Sequence, residues 1–229
     1  MPPLHRHQLA HLSAAGWRDI LGRNGDDELR ACLQLWADGN LPLVVTRQPR
    51  PARDGEPLPV ALGLSAPALF NGRRVALQVP PAQIAWFGEF PLLAETAQLL
   101  PRAARPRLDA MGRALATLGV KARVYGSVGW QQMTGLKYMH EQSDLDLWLA
   151  VGSANEADAA AQVLLRHAPA RPRLDGELLF VDGSAVAWRE WLAWRTGACR
   201  SLMVKRLHDA SIERDAERFT GAAGWACAA

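Results

Sequence analysis

Apolar positions recur at two spacings along this chain, and the switches between them mark out its elements. From Asp26 to Trp36 the apolar residues Leu29, Leu33 and Trp36 keep helical spacing, and Gly39 supplies a stop. Leu41 to Thr46 is a short apolar run with strand character. Val60 to Leu64 and Arg74 to Val79 follow as two more strands, the second alternating Val75, Leu77 and Val79. Residues 48–59, rich in Pro, Arg, Asp and Gly, read as an exposed loop. Pro80, Pro81, Pro91, Pro101 and Pro106 then thin out regular structure, which places a domain boundary near residue 90.

The second half keeps the same two periods. Pro106 stands at a helix start, Leu108, Met111, Leu115 and Leu118 line one face, and Gly119 ends it. Val120, Ala122 and Val124 alternate into a Gly126-Ser127 turn, from which a helix leaves. Asp144 to Val151 is a strand, and Ser153 and Glu156 have capping-box spacing ahead of a helix through about His167. Leu178 to Val181, the Asp182-Gly183 turn and Ala185 to Trp188 read as a hairpin. A last amphipathic helix is expected from about Leu202 to Phe219 and carries Lys205. The fold class is α+β: a small mixed N-terminal domain over 1–90, then a mixed sheet flanked by helices over 91–229.

Composition narrows the classes. With 229 residues, 49% hydrophobic and 21% charged, the chain has enough apolar material for a real core and reads as an ordinary globular protein. No stretch approaches the roughly 18 apolar residues of a membrane span. The first residues carry histidines where a signal peptide needs an apolar run, so the cytoplasm is expected. Cys32, Cys199 and Cys227 are odd in number and scattered, which argues against a disulfide framework. The net charge of +3 comes almost entirely from arginine, Lys121, Lys137 and Lys205 being the only lysines. No basic block is dense enough for a nucleic-acid groove.

The chemistry concentrates in Tyr125-Gly126-Ser127-Val128-Gly129-Trp130 and Ser143-Asp144-Leu145-Asp146-Leu147. Side chains alternate along a strand, so Asp144 and Asp146 project together while Leu145, Leu147 and Leu149 point to the core. Two adjacent carboxylates repel unless a cation stands between them. Mg²⁺ typically takes one or two protein carboxylates plus phosphate oxygens. A Gly-Ser turn at a helix N-terminus offers N–H groups and a positive dipole end to phosphate. Incidental acids on a solvated strand end and an ordinary serine cap are the plainer alternatives. The order strand, Gly-Ser, helix, loop, Asp-x-Asp strand instead describes a site that moves a phosphoryl or nucleotidyl group.

That order resembles the polymerase-beta-like nucleotidyltransferase fold from about Val120 to Trp188. The run YGSVGWQQMTGLKYMHEQSDLDLWL, with PLVVTR at 42–47 and a later strand bearing Arg73-Arg74, resembles more narrowly the phosphoribosyl-dephospho-CoA transferase family of malonate decarboxylase. This family is also called the holo-acyl-carrier-protein synthase of that system, and the resemblance covers essentially the whole chain. It implies transfer of 2'-(5''-phosphoribosyl)-3'-dephospho-CoA from the triphosphoribosyl precursor to a serine of the apo acyl carrier subunit, with release of pyrophosphate. It also implies that Asp144 and Asp146 bind Mg²⁺, that Gly126 and Ser127 hold the outer phosphates, and that a third carboxylate lies on a later strand. Asp175 is the first candidate for that carboxylate and Glu177 the second, although Asp-Gly is also a turn dipeptide.

Lys205 is a candidate phosphate contact, with a plain surface lysine as the alternative. Arg47, Arg73 and Arg74 could grip the donor or the carrier, and the N-terminal domain is expected to bind one of the two. His5, His7 and His11 lack a convergent Asp, Glu or Cys and are weak as a metal set. Trp188, Trp191 and Trp194 have helical spacing and are expected in the core, with base stacking as the alternative. Two other readings stay open: a nucleotidyltransferase of the same fold acting on a small molecule or as a toxin-type enzyme, and a non-catalytic nucleotide-binding module.

Overall fold

The computed structural model describes residues 3–23, 25–50 and 58–214. The protein is α+β and divides into two compact units, Met1–Phe90 with Met133–Tyr138, and Pro91–Gln132 with Met139–Ala229.

The first unit is built on an antiparallel sheet. Its strands are β1 (Leu9–Leu12), β2 (Leu43–Val45), β3 (Val60–Ser65), β4 (Arg74–Val79) and β5 (Ile84–Gly88), in the order β4-β3-β2-β1-β5. Helices α1 (Ala14–Leu21) and α2 (Asp27–Asp38) supply Trp17, Ile20, Leu33 and Trp36 to its core. Both begin on polar caps, with Ser13 accepting from the Gly16 N–H at 3.2 Å and Asp26 from the Leu29 N–H at 2.7 Å. The buried Trp36 indole donates to the Pro42 carbonyl at 3.0 Å.

Strands β1 and β5 and helix α1 are additions to the sequence reading. The prolines around residues 80–91 do not dissolve the sheet there. Pro80 and Pro81 precede β5 and Pro91 follows it, so none removes a ladder hydrogen bond. Within the pair His11 faces Trp86, and their rings stack 3.6 Å apart.

The segment 133–138 belongs to this first unit although it lies between two elements of the second. The Lys137 carbonyl accepts from the Ala68 N–H at 3.3 Å, and the Tyr138 hydroxyl donates to the Ser65 carbonyl at 2.8 Å.

The second unit holds a six-stranded mixed sheet. Its strands are β6 (Ala122–Tyr125), β7 (Leu145–Val151), β8 (Leu174–Phe180), β9 (Ala185–Ala187), β10 (Leu202–Lys205) and β11 (Ala210–Glu213), ordered β11-β10-β9-β8-β7-β6. Only β7 and β8 run parallel, joined through α5 (Ala154–His167), and the other pairs are antiparallel. Together with α3 (Arg105–Thr117) and α6 (Trp188–Arg195), α5 covers one face, where Leu145, Leu147, Leu149, Leu164, Trp188 and Trp191 are fully buried. The tryptophans at helical spacing are thus core residues of α6.

Two expectations are corrected here. The segment from Leu202 begins not as a helix but as the β10–β11 hairpin, closed by the Arg206 N–H on the Asp209 carbonyl at 2.7 Å. Buried Leu202 and Val204 alternate with the more exposed Met203 and Lys205, a period of two that overrides the amphipathic reading. The remainder of that segment, 215–219, lies outside the described residues. Trp188, expected to close the hairpin, instead opens α6.

Candidate active site

Pairing of β6, β7 and β8 assembles the site. Tyr125 pairs with Asp146, and Asp146 pairs with Asp175. Because β7 alternates, Asp146 and the buried Trp148 leave the sheet on one face while Leu145, Leu147 and Leu149 enter the helix-covered core. Asp144 stands one residue ahead of the strand. On β8, Asp175 and Glu177 share the face of Asp146.

Helix α4 (Gly126–Thr134) starts directly at the end of β6. Gly126 has φ +62°, and a Cβ there would land on the Asp146 carboxylate. Glycine is therefore required both for the backbone turn and for the approach of a carboxylate to the start of the helix. Ser127 lies beside it, half-buried, with no hydrogen bond to its hydroxyl among the described residues. A second glycine, Gly176, has φ +144°, and a Cβ on it would strike the Leu147 carbonyl. This bare position keeps β7 and β8 in contact beside the aspartates, and its N–H donates to the Asp175 carboxylate at 2.8 Å.

The three aspartates differ in their partners. Asp144 takes a fork from Arg173, whose Nη2 lies 2.5 Å and whose Nε lies 3.2 Å from its oxygens. The same Nη2 is 3.5 Å from Asp175. Asp146 has no hydrogen bond to its carboxylate among the described residues. Burial first, then the charges of Asp175 and Asp144, push its carboxyl up to about 6, while Arg173 pulls the other way. The guanidinium of Arg173 is in turn held more firmly protonated, chiefly by its bond to Asp144.

Glu177 is buried, 5% exposed, and its Oε1 accepts from Lys205 at 2.8 Å. Lys205 reaches the same face from β10, a strand and not the expected helix, and it is engaged by that carboxylate. Of the two candidates for a third carboxylate, Asp175 is therefore the one alongside Asp146, and Glu177 belongs to an ion pair.

The histidines of the N-terminal unit have separate duties. His5 Nε2 pairs with Glu89 at 2.9 Å, and His11 stacks on Trp86.

The sequence reading gave Arg173 no role. Arg173 stands one residue ahead of β8, and what matters is its distance to Asp144, 29 positions earlier, which no spacing marks.

Among the described residues no three Asp, Glu, His or Cys side chains close on one point as a ready-made metal shell. An all-oxygen donor set with an uncompensated carboxylate fits Mg²⁺, which needs only one or two protein ligands. It does not fit a zinc site. No helix among the described residues is long and apolar enough to cross a membrane.

Comparison with known proteins gives the family. Two family models match in tandem. The N-terminal domain of phosphoribosyl-dephospho-CoA transferase MdcG matches residues 5–90, and its C-terminal domain matches 92–216. The chain is 35% identical over 223 residues to a phosphoribosyl-dephospho-CoA transferase of Bradyrhizobium diazoefficiens, covering 97% of this chain and 95% of that one. It is 35% identical over 178 residues to one of Xanthomonas campestris, covering 76% of this chain and 79% of the relative. A relative of the same name from Azotobacter vinelandii is 32% identical over 184 residues, 76% of this chain and 82% of its own. No solved structure matches. On two matched domains and identity spanning nearly its whole length, this chain belongs to the phosphoribosyl-dephospho-CoA transferase family.

Proposed function

We propose that this protein transfers 2'-(5''-phosphoribosyl)-3'-dephospho-CoA from its triphosphoribosyl precursor to a serine of the apo acyl carrier subunit of malonate decarboxylase, releasing pyrophosphate. The observation that carries the reading is the placement of Asp146 against the Gly126 start of α4, with Asp175 paired beside it on β8 and Asp144 one residue ahead of β7. Asp144 and Asp146 would hold Mg²⁺, which when bound would neutralise part of the triphosphate charge.

The protein's own groups do the rest. The N-terminus of α4 and the Ser127 hydroxyl bind the outer phosphates and fix the departing pyrophosphate. The carrier serine oxygen attacks the phosphorus next to the ribose. The new P–O ester forms as the bond to pyrophosphate breaks, and Asp175 accepts the hydroxyl proton. Its bond from the Gly176 N–H holds that carboxylate in place. Little covalent chemistry is asked of the chain, because positioning and charge carry most of the barrier reduction. The arrangement belongs with a polymerase-beta-like nucleotidyltransferase, and on this reading the N-terminal unit binds donor or carrier.

The deciding experiment incubates the apo carrier subunit with the protein, Mg²⁺ and the triphosphoribosyl precursor, then measures intact mass. A gain equal to the prosthetic group, lost in Asp144→Asn, is expected. No gain with competent carrier and precursor would overturn the assignment and turn the search to nucleoside triphosphates with small acceptors.

A further inference from the structure

Arg173 touches two of the three carboxylates to which the proposed reaction gives work. Its fork closes on Asp144, assigned to the metal, and its Nη2 stands 3.5 Å from Asp175, assigned to the proton. The same oxygens cannot serve a guanidinium and those roles at once. Asp144 cannot offer its lone pairs freely to a divalent cation while accepting three close N–H contacts, and the Asp175 oxygen that faces the guanidinium is not open to an incoming hydroxyl.

The backbone of Arg173 is anchored, its carbonyl accepting from the Leu145 N–H at 2.9 Å at the very start of β7. Its side chain is the exposed part, 66% exposed against 30% for Asp144 and 42% for Asp175. A planar, permanently charged fork on a fixed backbone is equally suited to carboxylate and to phosphate.

We propose that Arg173 is a positioning residue that exchanges partners, bridging Asp144 and Asp175 until a polyphosphate arrives and then turning to that polyphosphate. The inference rests on the nucleotidyltransferase reading above. Its consequence is that Asp144 and Asp175 are released together, by the arrival of the substrate they are to act on. Exposed ion pairs of this kind are individually weak, so the exchange needs little driving force.

The test uses two simple probes on the full chain, Mn²⁺ alone and inorganic tripolyphosphate alone, with wild type, Arg173→Gln and Arg173→Lys. Binding is followed by Mn²⁺ electron paramagnetic resonance and by calorimetry, with a melt to show that each variant is folded. Removing the competitor should tighten Mn²⁺ binding by about fivefold, and removing the phosphate ligand should weaken tripolyphosphate binding by a similar factor. Arg173→Lys, which keeps the charge and loses the fork, should fall between wild type and Gln for both probes.

Opposite movement of the two affinities is the signature, because a purely structural role would move both the same way. If Arg173→Gln leaves Mn²⁺ affinity unchanged or weakens it, the exchange is wrong while the metal site stands. If neither wild type nor the variant binds Mn²⁺, both the exchange and the metal assignment fall.

Discussion

Replacing Asp146 by Asn isolates the energetic consequence of burying one carboxylate beside two others. In the folded protein this carboxyl is raised from 3.8 to about 6, by burial and then by the charges of Asp175 and Asp144. Between those two values the folded state binds more protons than the unfolded one. Stability is therefore undiminished below 3.8 and falls as pH rises towards the folded value. At about 1.4 kcal/mol per tenfold, the full penalty at neutral pH is roughly 3 kcal/mol. About 1.4 kcal/mol of it develops between pH 5 and pH 7.5.

An amide does not titrate, and any fixed cost of the Asn side chain is the same at both pH values. The melting temperature of Asp146→Asn relative to wild type should therefore rise by about 3–5 °C between pH 5 and pH 7.5, on the scale for a chain of this size. Millimolar Mg²⁺ should stabilise wild type at pH 7.5 and leave the variant unmoved. A difference that stays constant across this pH range would refute the reasoning, since it would mean the Asp146 charge is not penalised in the fold.

Three further outcomes are expected. Gly176→Ala should cost roughly 3 kcal/mol or more and lower soluble yield, because its Cβ meets backbone at Leu147 and not a side chain that can step aside; an unchanged urea midpoint would contradict it. Ser127→Ala should weaken tripolyphosphate binding with no loss of melting temperature, the hydroxyl having no hydrogen bond among the described residues to lose, and unchanged affinity would remove Ser127 from the phosphate site. Burial pushes the Cys32 thiol up to about 11, so iodoacetamide at pH 8 should label this cysteine in urea and spare it in the native protein; rapid native labelling, read by peptide mass, would contradict that.

Much of the second unit was legible because its signals are local. The alternation of Leu145, Leu147 and Leu149 dictates where Asp146 points, and the Gly-Ser turn announces the end of β6 and the start of α4. Asp175 was harder, since Asp-Gly reads as a turn until the parallel pairing with β7 makes it a strand. Only the register sets Asp175 opposite Asp146, and only the approach of Leu147 explains why the next residue is glycine.

Arg173 went unrecognised for a related reason. Its importance is a distance to Asp144, 29 positions earlier in the chain, which no spacing reveals. Lys205 was misplaced on a helix because four strand residues flanked by charged positions can imitate one helix face. Strand β5 was masked by prolines that turn out to stand at its ends.

The segment 133–138 has a consequence for how this chain can be divided. Family matches end and resume between residues 90 and 92, yet the first unit is finished only by residues some forty positions further on. A fragment cut at that boundary would leave the Ala68 N–H and the Ser65 carbonyl without Lys137 and Tyr138. During synthesis these two hydrogen bonds cannot form until Tyr138 has emerged, by which time β6 and the Gly126-Ser127 turn have been made. The two halves are thus interleaved and not strung in series, and an exchange of either one between relatives must carry this short strap with the N-terminal partner it was selected to fit.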